Sequence, residues 1–299
     1  MTPGPSSAED VADWVRSLDL PGLVDMHVHF LPDSVMRKVW AYFDRAEEHY
    51  GIPWPVYYRT DEQQRLATLR SFGVRRFAPL VYPHKPDMAE WLNTWVAEFA
   101  QREPDAVPTA TMYPESTASK YVDSALRSGA RCFKVHVQVG DFDPRDALLD
   151  DAWGALADAG VPVVVHCGHG PLRGSYTGLE VFAGVLERHP RLVAVLAHAG
   201  MPEYEQALRL VLRYPRVYLD TTMVGVEFTE RLTPLPGDWA RRLVAVSDRI
   251  VFGTDFPNIP YPYDEQLRAI AQWAAADEAL GERFLRSVLH DTPRALLGA

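Results

Sequence analysis

The chain has 299 residues, 47% of them apolar, and a formal net charge of −10, which describes a soluble globular protein large enough to bury a substantial core. Its 30 lysines and arginines form no run, which argues against a nucleic-acid or anionic-membrane partner, since both require a basic patch, and leaves a small-molecule ligand as the expectation. No apolar run approaches the ~20 residues of a membrane span, and the N-terminus lacks the charged-then-apolar pattern of a signal peptide. The two cysteines, Cys132 and Cys167, lie in apolar strand-like segments and are too few for a disulfide framework, so reduced packing thiols in a cytoplasmic compartment are expected.

In chain order, residues 1–10 are expected to form a disordered tail, followed by a strand over 22–28. The stretch 31–60 carries Trp40, Tyr42, Phe43, Tyr50, Trp54, Tyr57 and Tyr58 and exceeds twice a usual strand-to-helix connection. It reads as an inserted helix and loop, either packed on the rim of the fold or acting as a lid or dimer contact; if the protein pairs as a homodimer, 40–58 is the place to look. Further strands are expected near 74–80, 106–111, 131–137, 161–166, 192–197, 216–220 and 249–253. Helical periodicity marks 86–102, 116–128, 144–159, 177–189, 201–213 and 261–276, with a closing helix over 280–297. Eight βα units without a linker or composition break predict an α/β protein, a single (β/α)8 TIM-barrel domain over 1–299 with the inserted segment after its first strand.

Seven of ten histidines, His27, His29, His84, His136, His166, His169 and His198, fall at or just past a predicted strand end. Strand side chains alternate faces, so His27 and His29 point the same way, close enough to hold one metal ion. Parity adds Asp25 to their face and groups Lys134, His136 and Gln138 on one face of the fourth strand, opposite Val135, Val137 and Val139. Histidines at strands 1, 5 and 6 with Asp255 at strand 8 make a donor set suited to one divalent ion, Zn²⁺ first, with Mn²⁺ or Fe²⁺ tolerated. From the residues alone, ligand and base within this set are not separable.

Taken together, His27-Val28-His29, Gly129 through His136, Val163 through Gly168, Leu196 through Gly200, Gly253-Thr254-Asp255 and the closing Asp291 through Gly298 resemble the amidohydrolase superfamily. The resemblance is to the amidohydrolase-related branch that includes aminocarboxymuconate-semialdehyde decarboxylase. It implies that His27, His29, His166 and Asp255 ligate one metal and that His198 stays off it as the catalytic base or acid, with Asp255 also catalytic. Lys134 is either an interior cation near the site, available to a substrate carboxylate, or the carboxylated bridge of binuclear relatives. His136, His169 and Arg173 are candidate substrate contacts, set against structural or surface roles.

Two reactions fit this set. One is a metal-dependent hydrolase in which a metal-activated water attacks an amide, ester or lactone of a small carboxylate-bearing substrate. The other is a nonoxidative decarboxylase, a carboxy-lyase, of an unsaturated or aromatic acid. A barrel that binds metal or ligand without catalysis is the third reading, weakened by the intact ligand and base set.

Overall fold

The computed structural model describes residues 4–298. Eight strands follow one another as β1 Leu23–Val28, β2 Val74–Pro79, β3 Thr109–Thr111, β4 Cys132–His136, β5 Val163–His166, β6 Ala194–Leu196, β7 Val217–Asp220 and β8 Ile250–Val251. The helices before β4 are α1 Val11–Ser17, α2 Asp33–Phe43, α3 Ala46–Tyr50, α4 Glu62–Ser71, α5 Ala89–Arg102 and α6 Ala118–Arg127. After β4 come α7 Val137–Gly140, α8 Asp150–Ala159, α9 Leu179–Arg188, α10 Tyr204–Arg213, α11 Glu227–Glu230 and α12 Trp239–Leu243, then α13 Asp264–Ala276, α14 Gly281–Arg286 and α15 Thr292–Leu297. None of the described helices is long and apolar enough to cross a membrane.

Contacts divide the chain into two compact units, Met1–Phe77 with Thr221–Ala295 and Ala78–Asp220 with Leu296–Ala299. Each unit is assembled from separate stretches, which is why no linker is visible in the sequence.

In the second unit β3, β4, β5, β6 and β7 pair in chain order, all parallel. The register sets Lys134 beside Thr111 and Val164, and His136 beside His166. Valine-rich β5 is buried along its whole length, as a strand covered on both faces should be. Helices α5, α6, α8, α9 and α10 supply the cover; α10 buries Tyr204, Ala207, Leu208 and Val211, the spacing of one helical face. Burying a side chain of that size contributes about 1.5–3 kcal/mol.

In the first unit β1 pairs with β2, and its other edge meets the segment after β8: Met26 N–H donates to Phe252 O at 2.9 Å and His29 N–H to Phe256 O at 2.7 Å. Every residue of β1 is buried, Asp25 and His27 included. The aromatic stretch forms α2, α3 and a loop that packs by its own rings, with Phe43 stacked on Trp54 at 5.3 Å and Trp54 edge-on to Phe228 at 4.9 Å.

Two sequence expectations are corrected. Of the predicted tail, residues 1–3 lie outside the described residues, whereas Ala8–Asp10 form a 3-10 turn and Arg268 donates to the carbonyls of Pro5 and Ser6, so residues 4–10 are part of the fold. The fourth strand ends at His136, not beyond it, and Val137–Gly140 turns into α7 because the His136 imidazole Nδ1 accepts from Val139 N–H at 3.3 Å. Alternation stops there, so Gln138 does not continue the Lys134 face; its side chain donates to Leu172 O, and Val139 is exposed.

Candidate functional site

The first unit brings together His27, His29 and Asp255. His29 Nε2 lies 2.9 Å and His27 Nε2 3.4 Å from the same carboxylate oxygen, Asp255 Oδ1. One donor atom from each residue falls within 4.8 Å of the others, and both histidines are buried. Two imidazole nitrogens and one carboxylate oxygen, converging on a common point away from water, are the donor chemistry a zinc- or manganese-type ion takes, so these residues fit the metal implied by the sequence.

Local structure accounts for the convergence. His27 and His29 share a face at the end of β1, and Asp255 reaches them because its backbone adopts a left-handed conformation, φ 68°, and its N–H donates to His27 O at 2.8 Å. A non-glycine residue held there costs on the order of 1–3 kcal/mol and persists only where its surroundings enforce it. Behind the histidines, Asp25 acts as a hub. Its carboxylate accepts from His27 N–H at 3.1 Å, Thr254 Oγ1 at 2.7 Å and the Tyr263 hydroxyl at 2.8 Å, tying β1, the Asp255 loop and the start of α13 to one buried group.

The second unit brings together His136, His166 and His198. The His136 and His166 rings stack at 4.0 Å, and His166 meets His198 edge-on at 4.6 Å. His166 Nε2 donates to Gly170 O at 2.9 Å, which puts the lone pair of the neutral ring on Nδ1. His198 follows β6 with φ 55°, Ala199 with φ 48° and Gly200 with φ 73°, three successive left-handed residues. The His198 N–H is held by Asp220 Oδ1 at 2.7 Å. Lys134 is fully buried on β4. Near it, burial pushes the Cys132 thiol up to about 12, the Lys134 charge opposing, so this cysteine is a packing thiol.

His169 does not join that histidine cluster among its recorded contacts. Its Nδ1 bonds Thr177 Oγ1 at 2.8 Å, and its Nε2 lies 3.3 Å from Glu203 Oε1. Burial raises the Glu203 carboxyl above the usual carboxylate range, with the hydrogen bond from His169 N–H opposing. Arg173 is exposed on the loop after β5.

Asp25, Asp220 and Glu203 are site residues for which the sequence reading gave no role. Asp220 carried a usable signal, since an aspartate closing the apolar Val217-Tyr218-Leu219 run follows the same rule as Asp255. Glu203 carried none, because its partner His169 is 34 residues away.

Comparisons with known proteins speak for the family and the fold. A family profile described as Amidohydrolase matches residues 24–299. No curated protein matches the chain. Among solved structures, a TIM-barrel protein from Bordetella bronchiseptica aligns with TM-score 0.70 at 19% identity, covering 92% of this chain and 98% of that one. The 5-carboxyvanillate decarboxylase of Sphingomonas paucimobilis aligns with TM-score 0.64 at 14% identity, covering 93% and 99%. The same enzyme of Novosphingobium aromaticivorans, solved with manganese and 4-hydroxy-3-methoxy-5-nitrobenzoic acid, aligns with TM-score 0.60 at 12% identity, covering 93% and 96%. At these identities the structures speak for the (β/α)8 barrel fold, and the profile, which spans nearly the whole sequence, speaks for descent: this chain belongs to the amidohydrolase family of metal-dependent enzymes.

Proposed function

We propose that the protein is a metal-dependent hydrolase acting on an amide, ester or lactone of a small carboxylate-bearing substrate. The observation that carries the reading is the buried convergence of His27, His29 and Asp255 on one point. A divalent ion held there supplies Lewis acidity and makes water more acidic, the two services hydrolysis at neutral pH requires. The sequence resemblance adds His166 as a further ligand.

The protein's own groups would do the rest. His198, fixed by its backbone bond to Asp220 and by its unusual conformation, would take and return the proton, the work an imidazole does as a general base and acid. Asp25 would hold His27 in place through the backbone. Lys134, His136, His169 and Arg173 are proposed to meet the substrate, Lys134 as the buried cation for its carboxylate.

Decarboxylation of an aromatic or unsaturated acid is the second reading, favoured by the 5-carboxyvanillate decarboxylases among the similar structures and by the same buried lysine. A panel of carboxylate-bearing esters, amides, lactones and aromatic acids, followed in parallel for acid release and for CO2, decides between them. Acid release abolished by His27→Ala supports hydrolysis, CO2 release abolished by the same change supports the decarboxylase, and neither product from the metal-loaded protein across the panel overturns both.

A further inference from the structure

The loops after β5 and β6 and the start of α9 bring together His169, Glu180 and Glu203, with one donor atom of each within 4.8 Å of the others. All three belong to the second unit. The two loops are already joined, Gly170 N–H donating to Met201 O at 3.1 Å and His169 N–H to Glu203 Oε2 at 3.1 Å.

An acid at a helix start is ordinary, because the macrodipole favours it, and both glutamates stand at one. The helix ends do not explain how the remaining atoms face one another. Thr177 Oγ1 accepts Gly174 N–H at 2.8 Å and gives its own proton to Gly174 O at 3.1 Å, so in its 2.8 Å contact with His169 Nδ1 it accepts. The neutral imidazole therefore carries its proton on Nδ1, and the Nε2 lone pair lies toward the Glu203 carboxylate. Nε2 is 3.3 Å from Glu203 Oε1, yet the two are not aligned as a hydrogen bond, and Oε1 is buried without a hydrogen-bond partner. Two acceptors at this spacing repel unless positive charge lies between them. The spacing is also that of two donors on one metal ion, about 3.0–3.4 Å when each is ~2.1 Å from it.

The third group is placed by a glycine. A Cβ on Gly178 would stand 2.6 Å from Glu180 Oε1 and 3.0 Å from Oε2, and Gly178 has φ 121°, so the carboxylate folds over a backbone that only glycine supplies. Among the described residues neither glutamate pairs with a lysine or arginine. Burial, and to a smaller degree the Glu180 charge, raise the Glu203 carboxyl, and a divalent cation would relieve both.

We propose that His169 Nε2, Glu203 Oε1 and the Glu180 carboxylate form a second divalent-cation site, of the mixed nitrogen and oxygen type that suits Mn²⁺ or Zn²⁺, with Thr177 fixing the imidazole. It shares no residue with the His27, His29 and Asp255 set, and it holds the loops after β5 and β6 to each other. Having three protein ligands, one of them the exposed Glu180, it is weaker than that set and stays empty at the single equivalent of ion that fills it. The site does not depend on which reaction the protein performs, but it changes one assignment: His169 then meets a substrate carboxylate through the ion.

The test is titration of the full-length His27→Ala, His29→Ala protein with Mn²⁺, the free ion read by electron paramagnetic resonance, and with Zn²⁺ by competition against a metal indicator. Saturable binding of one ion per chain is expected. It should weaken at least about tenfold in His169→Ala and in Glu203→Gln, and about threefold or more in Glu180→Gln. Thr177→Val, which keeps all three ligands, should weaken it about tenfold, and Thr177→Ser should restore it. If the double variant does not fold, the wild type carries the test, binding a second ion per chain that Glu203→Gln loses. No saturable binding of either ion would mean that His169 and Glu203 share only a proton and would overturn the site. Binding unchanged in both His169→Ala and Glu203→Gln would overturn it equally.

Discussion

His198 and the β1 histidines are assigned different work, and single substitutions separate them. In His198→Asn the proposed ligand set is untouched, so metal content should equal that of the wild type while kcat falls by about 10²–10⁴-fold, the usual cost of removing a general acid–base group. In His27→Ala both metal and turnover should go; normal activity in the His198 variant would remove its proton-transfer role. Glu203 offers a pH test. Burial raises its carboxyl pKa in the folded state, so its contribution to stability is fully present below the unfolded value and is lost as pH rises through the folded one. Glu203→Gln removes that loss, and its melting temperature should therefore improve relative to wild type at pH 8 compared with pH 4. An equal difference at both pH values would mean that the His169 pairing cancels the effect of burial, and a Gln variant relatively worse at pH 8 that it outweighs it. Cys132 and Cys167 are both buried, and with the Cys132 thiol pushed up to about 12 neither should react with a thiol reagent at pH 8 until the protein is unfolded.

Among the elements of the second unit, the loops after β5 and β6 touch at a glycine. A Cβ added to Gly168 would stand 2.3 Å from Met201 O, a backbone atom with little freedom to yield. Gly168→Ala should cost about 1–3 kcal/mol or more in thermal or urea unfolding and disturb both the His166 and His198 loops. Gly154→Ala, inside α8 where the nearest atom would be 3.8 Å away, should be neutral or stabilising by up to about 1 kcal/mol. Elements of this kind differ in how plainly the sequence announces them. Strand β5 is legible because Val163-Val164-Val165 has only one use, and α10 because its apolar residues keep helical spacing. Helix α4 escapes periodicity because a buried arginine, Arg65, stands beside Leu66 and Leu69 on its inner face. The Val-Gln-Val alternation after His136 imitates a strand, and only the imidazole capping α7 reveals the turn. In the site, His27, His29 and Asp255 are legible because polar groups ending apolar strands need a purpose. The Asp25 hub is not, since two of its donors, Thr254 and Tyr263, arrive from 229 and 238 residues away.

At the scale of the whole chain, the candidate metal ligands of the first unit come from its two separate stretches: His29 and Asp255, whose side chains meet at 2.9 Å, are 226 residues apart in sequence. An ion bound there would clip together segments whose approach costs a long loop closure in the unfolded chain, a closure it helps only in the folded state. Binding to the folded state alone stabilises it by ~2.7 kcal/mol when free metal is 100 times Kd. For a protein of this size each kcal/mol moves the melting temperature by about 2–4 °C. Chelation should therefore lower the melting temperature of the wild type by several degrees, and zinc or manganese should restore it, whereas the His27→Ala, His29→Ala variant should melt at one temperature with or without the ion. If instead wild type and variant respond alike to chelator and metal, the ion is not held by this triad and the clip does not exist.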